Sequence, residues 1–292
     1  MTDTARRVVK DSMLGLDMPD LDRWSDRVGV VLGQNPGPFT GPGTNTYLVG
    51  TGRRPLLLDT GQGIDSYVPL LERGLHELCG ATELQEIVLT HGHPDHIGGV
   101  EKIRRRFGEL RVSKKPWEGH DPALEIRPIE EGAVIETEGA TLRALWTPGH
   151  AWDHLCFYLD EDKALFTGDV VLGAGTTVIP PDGDLSDYLA SLRRILALDL
   201  AVIYPAHGPV IRNPREKVEQ YLAHRQLREE QILDGLRAGL RTTRALVERI
   251  YTDVPAFLHG AAGVSVEAHL RKLVKDGLVA GAGGEWEMKG EC

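Results

Sequence analysis

Residues 90–99 read Thr-His-Gly-His-Pro-Asp-His-Ile-Gly-Gly, a run that puts four metal-ligand side chains, His91, His93, Asp95 and His96, into six residues. Imidazole suits zinc and similar divalent ions, and the carboxylate adds a charged oxygen. The preceding Glu86-Ile-Val-Leu89 is short, apolar and β-branched, which predicts a buried strand. The ligands then lie in a loop just past a strand end. Gly92 and Pro94 set its turn, and Gly98-Gly99 punctuates its far side. One ion cannot easily take four ligands packed this closely along a non-helical segment. Two ions can share them, His91 and His93 facing one, Asp95 and His96 the other.

His-x-His-x-Asp-His after a short strand resembles the signature of the metallo-β-lactamase superfamily. The resemblance implies three more ligands from later loops, in the order His, Asp, His. His150 ends Thr147-Pro-Gly-His after the strand-like Leu142–Trp146, Asp169 ends Leu165-Phe-Thr-Gly-Asp, and His207 follows Val202-Ile-Tyr-Pro-Ala. A carboxylate at Asp169 can bridge two cations roughly 3.5–4 Å apart. Asp59, in Leu56-Leu-Leu-Asp-Thr-Gly61, resembles the superfamily's first motif and is expected to support a ligand or the ligand loop through hydrogen bonds. The resemblance implies two divalent ions, zinc the expected identity, sharing a water whose pKa falls from about 15.7 toward about 7. The resulting metal-bridging hydroxide is the expected nucleophile. Asp95 is assigned a catalytic as well as a ligating role. His154, in Ala151-Trp-Asp-His-Leu155, is a candidate to bind substrate or protonate the leaving group, with a partly buried strand-start histidine as the alternative.

Length and composition bound the rest. A chain of 292 residues, 41% hydrophobic and 26% charged, is globular and holds one large domain or two. No stretch of about 18 apolar residues marks a membrane span. The N-terminal Met1–Asp11 lacks the apolar segment of a secretory signal. Three cysteines, Cys79, Cys156 and Cys292, form neither a disulfide framework nor a zinc spacing. Cytoplasm is the expected compartment, an organellar matrix the alternative. A net charge of −10 is a poor footprint for broad nucleic-acid binding.

Periodicity predicts helices over 64–79 and 97–107, and strands to about residue 170. Strand–helix alternation with ligands at strand ends fits an α+β chain of two face-to-face sheets with helices outside; the resemblance implies an αββα sandwich over 1–213. Residues 214–292 change character. A long helix starts at Asn213-Pro, a second is capped by Thr242-Thr243, a third spans roughly Val264–Asp276, and 278–288 reads as a hairpin. This looks like a winged-helix-like module. Packing against the catalytic domain to shape a substrate entrance is favoured over DNA reading.

Further strings narrow the resemblance to the β-lactamase-like protein 2 group: Asn35-Pro-Gly-Pro, Gly43-Thr-Asn-Thr-Tyr, Gly173-Ala-Gly-Thr-Thr, and Tyr221-Leu-Ala-His-Arg225. That group implies two chemistries, cleavage of single-stranded RNA or hydrolysis of acyl thioesters, esters or lactones. For the first, Asn45, Thr176, Thr177 and His154 are the candidate contacts to phosphate or leaving group. A non-enzymatic nucleic-acid-binding protein is the remote third reading. His93 stands where the redox diiron relatives carry a Glu, and Asp169 where true metallo-β-lactamases carry a cysteine. His76, His120, His224, His259 and His269 have no ligand partners in pattern. Nothing in the sequence specifies an oligomeric state.

Overall fold

The computed structural model describes residues 15–252, 254, 258–282 and 284–289. The N-terminal 1–14 and Cys292 lie outside them. Strands β1 (Leu21–Ser25), β2 (Val28–Leu32), β3 (Asn45–Val49), β4 (Leu56–Leu58), β5 (Ile87–Val88), β6 (Val112–Lys114) and β7 (Arg127–Pro128) form one sheet in chain order. Pairing is antiparallel from β1 to β4 and parallel from β4 to β7. The second sheet runs β12-β11-β10-β9-β8, built from β8 (Val134–Thr137), β9 (Ala140–Trp146), β10 (Leu155–Leu159), β11 (Ala164–Gly168) and β12 (Val202–Pro205).

The apolar runs are explained by burial on both faces of these strands. Val28, Val30, Tyr47, Val49, Leu56 and Leu58 point between the sheets, against Leu142, Ala144, Leu155, Phe157 and Phe166. The alternate residues Val31, Leu48 and Leu57 point outward onto two helices, α1 (Tyr67–Cys79) and α3 (Val100–Phe107), through Leu71, Leu75 and Ile103. The second sheet turns Cys156, Leu165 and Ile203 outward onto α4 (Leu185–Leu196) and α5 (Pro214–Arg237). This is the αββα sandwich.

Between β5 and α3 lies a single-turn helix, α2 (Pro94–Ile97). The expected helix over 97–107 is therefore broken at Gly98-Gly99. The break lets two backbones meet: a Cβ on Gly99 would sit 2.1 Å from the Thr60 carbonyl oxygen.

The C-terminal module has its own core. Ile232 and Leu236 of α5 meet Leu246 and Val247 of α6 (Thr243–Ile250), Val266, Leu270 and Leu273 of α7 (His259–Lys275), and Val279 and Trp286 of the hairpin β13 (Val279–Ala282) and β14 (Glu285–Met288). Thr242 caps α6 as expected, its hydroxyl accepting from the Ala245 N–H at 3.2 Å. Helix α7 begins earlier than the expected Val264. Residues 260–263 (Gly-Ala-Ala-Gly) carry no large apolar side chain to show periodicity, yet Ala262 packs into the module core. Helix α5 serves two cores: Val218 and Tyr221 pack under the second sheet, Ile232 and Leu236 in the module.

Candidate metal centre

Loops at the ends of β5, β9, β11 and β12 bring seven His and Asp side chains together in two sets. His91, His93, His150 and Asp169 form the first; Asp95, His96 and His207 form the second. Asp169 faces both. Its Oδ2 is 3.3 Å from His150 Nε2, while its Oδ1 is 3.1 Å from His207 Nε2 and 3.4 Å from His96 Nε2. Asp95 Oδ2 lies 3.3 Å from His207 Nε2 and 3.4 Å from His96 Nε2.

The hydrogen bonds behind these atoms set the tautomers. Asp59 adopts a left-handed backbone with φ of 59° and is 1% exposed. Its Oδ1 accepts from the Thr90 N–H at 2.9 Å, and its Oδ2 from Thr90 Oγ1 at 2.9 Å and His96 Nδ1 at 2.8 Å. With its hydroxyl proton directed to Asp59, Thr90 Oγ1 accepts from His91 Nδ1 at 3.0 Å. One carboxylate thus holds Nδ1 of His96 directly and Nδ1 of His91 through Thr90, so that Nε2 of each ring, one in each set, is the atom turned to the centre. His150 Nδ1 donates to the Val178 carbonyl at 2.8 Å, so its Nε2 is likewise an acceptor, 2.9 Å from His93 Nδ1.

This donor set fits a pair of divalent ions. His91 Nε2, His96 Nε2 and Asp169 Oδ1 are buried with no hydrogen-bond partner, and unsatisfied buried polar atoms are costly. Burial, with the other histidines, holds His91 and His93 neutral, His93 at about 4. Burial pushes His207 and His96 down as well, but the carboxylates of Asp169 and Asp95 outweigh it; they raise His96 and bring His207 to about 9. Burial raises Asp95, and His96 and His207 more than reverse it, leaving the carboxyl well below the usual range.

Other expected contacts fall elsewhere. His154 is fully buried behind the centre and does not line the cleft. Its Nε2 accepts the Asp169 N–H at 3.1 Å and its Nδ1 meets Thr147 Oγ1 at 3.0 Å, so it supports Asp169 rather than a leaving group. Asn45 is also fully buried; its amide donates to the Pro205 and Gly208 carbonyls at 2.9 and 2.8 Å, bracketing His207. Thr176 and Thr177 do line the cleft, but the Thr177 hydroxyl is committed to the Asp169 and Val170 carbonyls.

Three supports went unread in the sequence. The Thr44 hydroxyl meets Asp95 Oδ2 at 3.2 Å and is itself held by Asn35. Lys114, fully buried, pairs with Asp121 and Asp153 at 2.5 Å behind Gly92. Helix α5 clamps the loop after Asp169: Tyr221 Oη meets the Leu172 N–H and the Gly175 carbonyl, each at 3.0 Å, and Arg225 donates to the Thr177 carbonyl. Thr44 lies in the string Gly43–Tyr47, and Tyr221 and Arg225 end the string Tyr221–Arg225, so these had a signal; the buried Lys114 had none.

The centre opens into a cleft of about 640 Å³ between the sandwich and the module. Pro36, Pro38 and Phe39 of the β2–β3 loop form one wall, and Tyr251, Val254, Leu258, Ala261 and Ala262 the facing one.

Comparison with known proteins agrees with this architecture. Residues 39–207 match the metallo-beta-lactamase superfamily, and 242–286 match the beta-lactamase associated winged helix domain. The chain is 39% identical over 264 residues to the beta-lactamase-like protein 2 homolog of Caenorhabditis elegans, covering 89% of this chain and 88% of the relative. It is 42% identical over 253 residues to the atrochrysone carboxyl ACP thioesterase of Aspergillus fumigatus, covering 82% and 78%. A metallo-beta-lactamase family protein from Thermus thermophilus superposes with a TM-score of 0.75 at 27% identity over 93% of this chain and 99% of that one. The chain belongs to the metallo-beta-lactamase superfamily and carries that family's associated winged helix domain at its C-terminus.

Proposed function

We propose that this hydrolase acts on acyl thioesters or esters held in the cleft between the sandwich (1–213) and the module (214–292). The cleft lining carries the choice. Its walls are mainly apolar and, among the described residues, hold no lysine and one arginine, Arg225. A single-stranded RNA path needs several cations along the phosphates and aromatic stacking faces. An acyl chain needs an apolar trough beside the reacting centre. The named thioesterase relative supports the same reading.

His91, His93 and His150 would hold one divalent ion, Asp95, His96 and His207 the other, with Asp169 shared; zinc suits the imidazole-rich set. Two such ions supply an activated water near neutral pH and polarise the acyl carbonyl. The chain's own residues supply the rest. The Asp95 carboxylate, held ionised by His96 and His207 and fixed by the Thr44 hydroxyl, would accept a hydrogen bond from such a water. Phe39 and the module wall exclude bulk water from the acyl chain.

Purified, metal-quantified protein should hydrolyse members of a panel of acyl thioesters and lactones, with Asp169→Ala as the inactive control. Cleavage of a short single-stranded RNA, lost in the same variant and without acyl hydrolysis, would overturn the proposal in favour of the nuclease reading.

A further inference from the structure

The module side of the cleft holds cations that the metal centre does not use. Arg225 is 3% exposed, yet lines the cleft, as does its neighbour His224. Arg225 donates through Nη2 to the Thr177 carbonyl, and its guanidinium lies 5.2 Å over the Tyr188 ring; its Nε has no partner. One turn on, the Arg228 guanidinium stacks 4.0 Å over Tyr251, a wall residue, and its Nε is also buried and unpartnered. His224 Nδ1 is a third such atom.

Glu229, the neighbouring acid on α5, is turned to Lys272 at 2.7 Å and to His269 at 3.9 Å. Among the described residues no carboxylate pairs with Arg225 or Arg228. Burial first, then Arg225, Arg228 and His269, hold His224 down at about 4, neutral and able to donate. Buried guanidinium groups are costly unless an anion and full hydrogen bonding accompany them. Stacking on Tyr188 and Tyr251 offsets part of that cost, since aromatic faces attract cations. Unpartnered guanidinium and imidazole donors are the groups that a carboxylate or phosphate satisfies in a charge-assisted contact.

We propose that His224 and Arg225, backed by Arg228, form an anion-recognising subsite, so that the preferred substrate carries a negative group in addition to its scissile carbonyl. This rests on the acyl-hydrolase reading and deepens it. The anion has two chemical sources: a carboxylate at the far end of the acyl chain, or a phosphate on the group to which the acyl chain is esterified. Either gains from the apolar trough for its uncharged middle and from the subsite for its end.

Three substrates separate these sources on the metal-loaded enzyme: butyryl-N-acetylcysteamine (neutral), glutaryl-N-acetylcysteamine (acyl-end carboxylate) and butyryl-coenzyme A (carrier phosphate). We expect kcat/KM for one anionic substrate to exceed that for the neutral one by about tenfold or more. Arg225→Lys and His224→Gln should each shrink that ratio about tenfold. His224→Gln leaves the Arg225–Thr177 bond in place, so it reads the subsite even where Arg225→Lys misplaces the loop. A merely structural role lowers all three rates together and leaves the ratio intact. Equal kcat/KM for neutral and anionic substrates, or a ratio unchanged in both variants, overturns the subsite. If none of the three is hydrolysed, the acyl reading fails first. Calorimetric binding of glutarate against butyrate, and of coenzyme A against pantetheine, then decides the subsite: tighter anion binding lost in His224→Gln sustains it, and no anion preference removes it.

Discussion

Asp59→Asn is the sharpest perturbation of the metal centre that the structure suggests. Asparagine tolerates the left-handed backbone of residue 59, so the variant keeps the turn, where alanine would strain it. It is nearly isosteric, so no cavity forms. Oδ1 still accepts the Thr90 N–H. What changes is the atom facing His96 Nδ1: a carboxylate oxygen at 2.8 Å becomes an amide N–H. Two donors then confront each other. His96 relieves the clash by moving its proton to Nε2, the nitrogen that faces Asp95 and Asp169. The rearrangement weakens the second ligand set, and through Thr90 it loosens the tautomer of His91. Loss of one charge-assisted bond is worth about 1.5–3 kcal/mol. Loss of a comparable supporting partner costs about 10–100-fold in metal affinity, or about 1.4–2.7 kcal/mol, so two estimates converge. The assay is metal content by mass spectrometry across a chelator competition series, with a thermal melt for folding. Wild type should retain two ions per chain, and Asp59→Asn should release one at about 10–100-fold weaker chelation. Two ions of unchanged affinity would refute the tautomer argument.

Asp169→Ala should abolish hydrolysis and lower metal content; full activity with two ions per chain would remove Asp169 from its shared position. Metal uptake should release protons. In the metal-free protein His207 titrates at about 9 and His96 is also raised, so both carry protons at pH 7 that a cation must displace. Affinity should therefore rise with pH up to about 9 and weaken as pH falls, and calorimetry in buffers of different ionisation enthalpy should report the released protons; pH-independent affinity between 6 and 9, on the order of two or three units around neutrality, would contradict the assignment. His154→Ala should destabilise the fold by about 2–4 kcal/mol, because it empties a buried site and orphans the Asp169 N–H. Denaturant unfolding checks this, and a loss below about 1 kcal/mol would show that His154 does not brace Asp169.

The ligand loop was legible because its spacing is local: four side chains within six residues share one turn whatever the rest of the chain does. The later His150, Asp169 and His207 were legible only as strand-end residues in the right order. The direction of Asn45 and His154 was not. Each lies near the centre in sequence terms, but strand register decides whether a side chain faces the cleft or the packed interior, and both face inward. His224 read as an ordinary histidine, and Arg225 stood out only within the string Tyr221–Arg225, because their neighbours, Thr177, Tyr188 and Tyr251, are supplied by other elements. The sandwich followed from the family resemblance carried by the ligand motif, since periodicity alone gives only mixed α and β. The start of α7 did not, since glycine and alanine give no amphipathic pattern. Among the described residues no helix is long and apolar enough to cross a membrane, consistent with the reading of the apolar runs.

The shared helix α5 has a mechanical consequence. At about 1.5 Å per residue its 24 residues make a rod of roughly 36 Å, seated at one end under the second sheet and at the other in the module. A rod fixed at both ends leaves no hinge between the two bodies. The module cannot swing as a door without dragging Tyr221 and Arg225, and with them the backbone that presents Asp169. The doorway therefore has a fixed width. Pro36, Pro38 and Phe39 of the β2–β3 loop, on the opposite wall, are not carried by the rod.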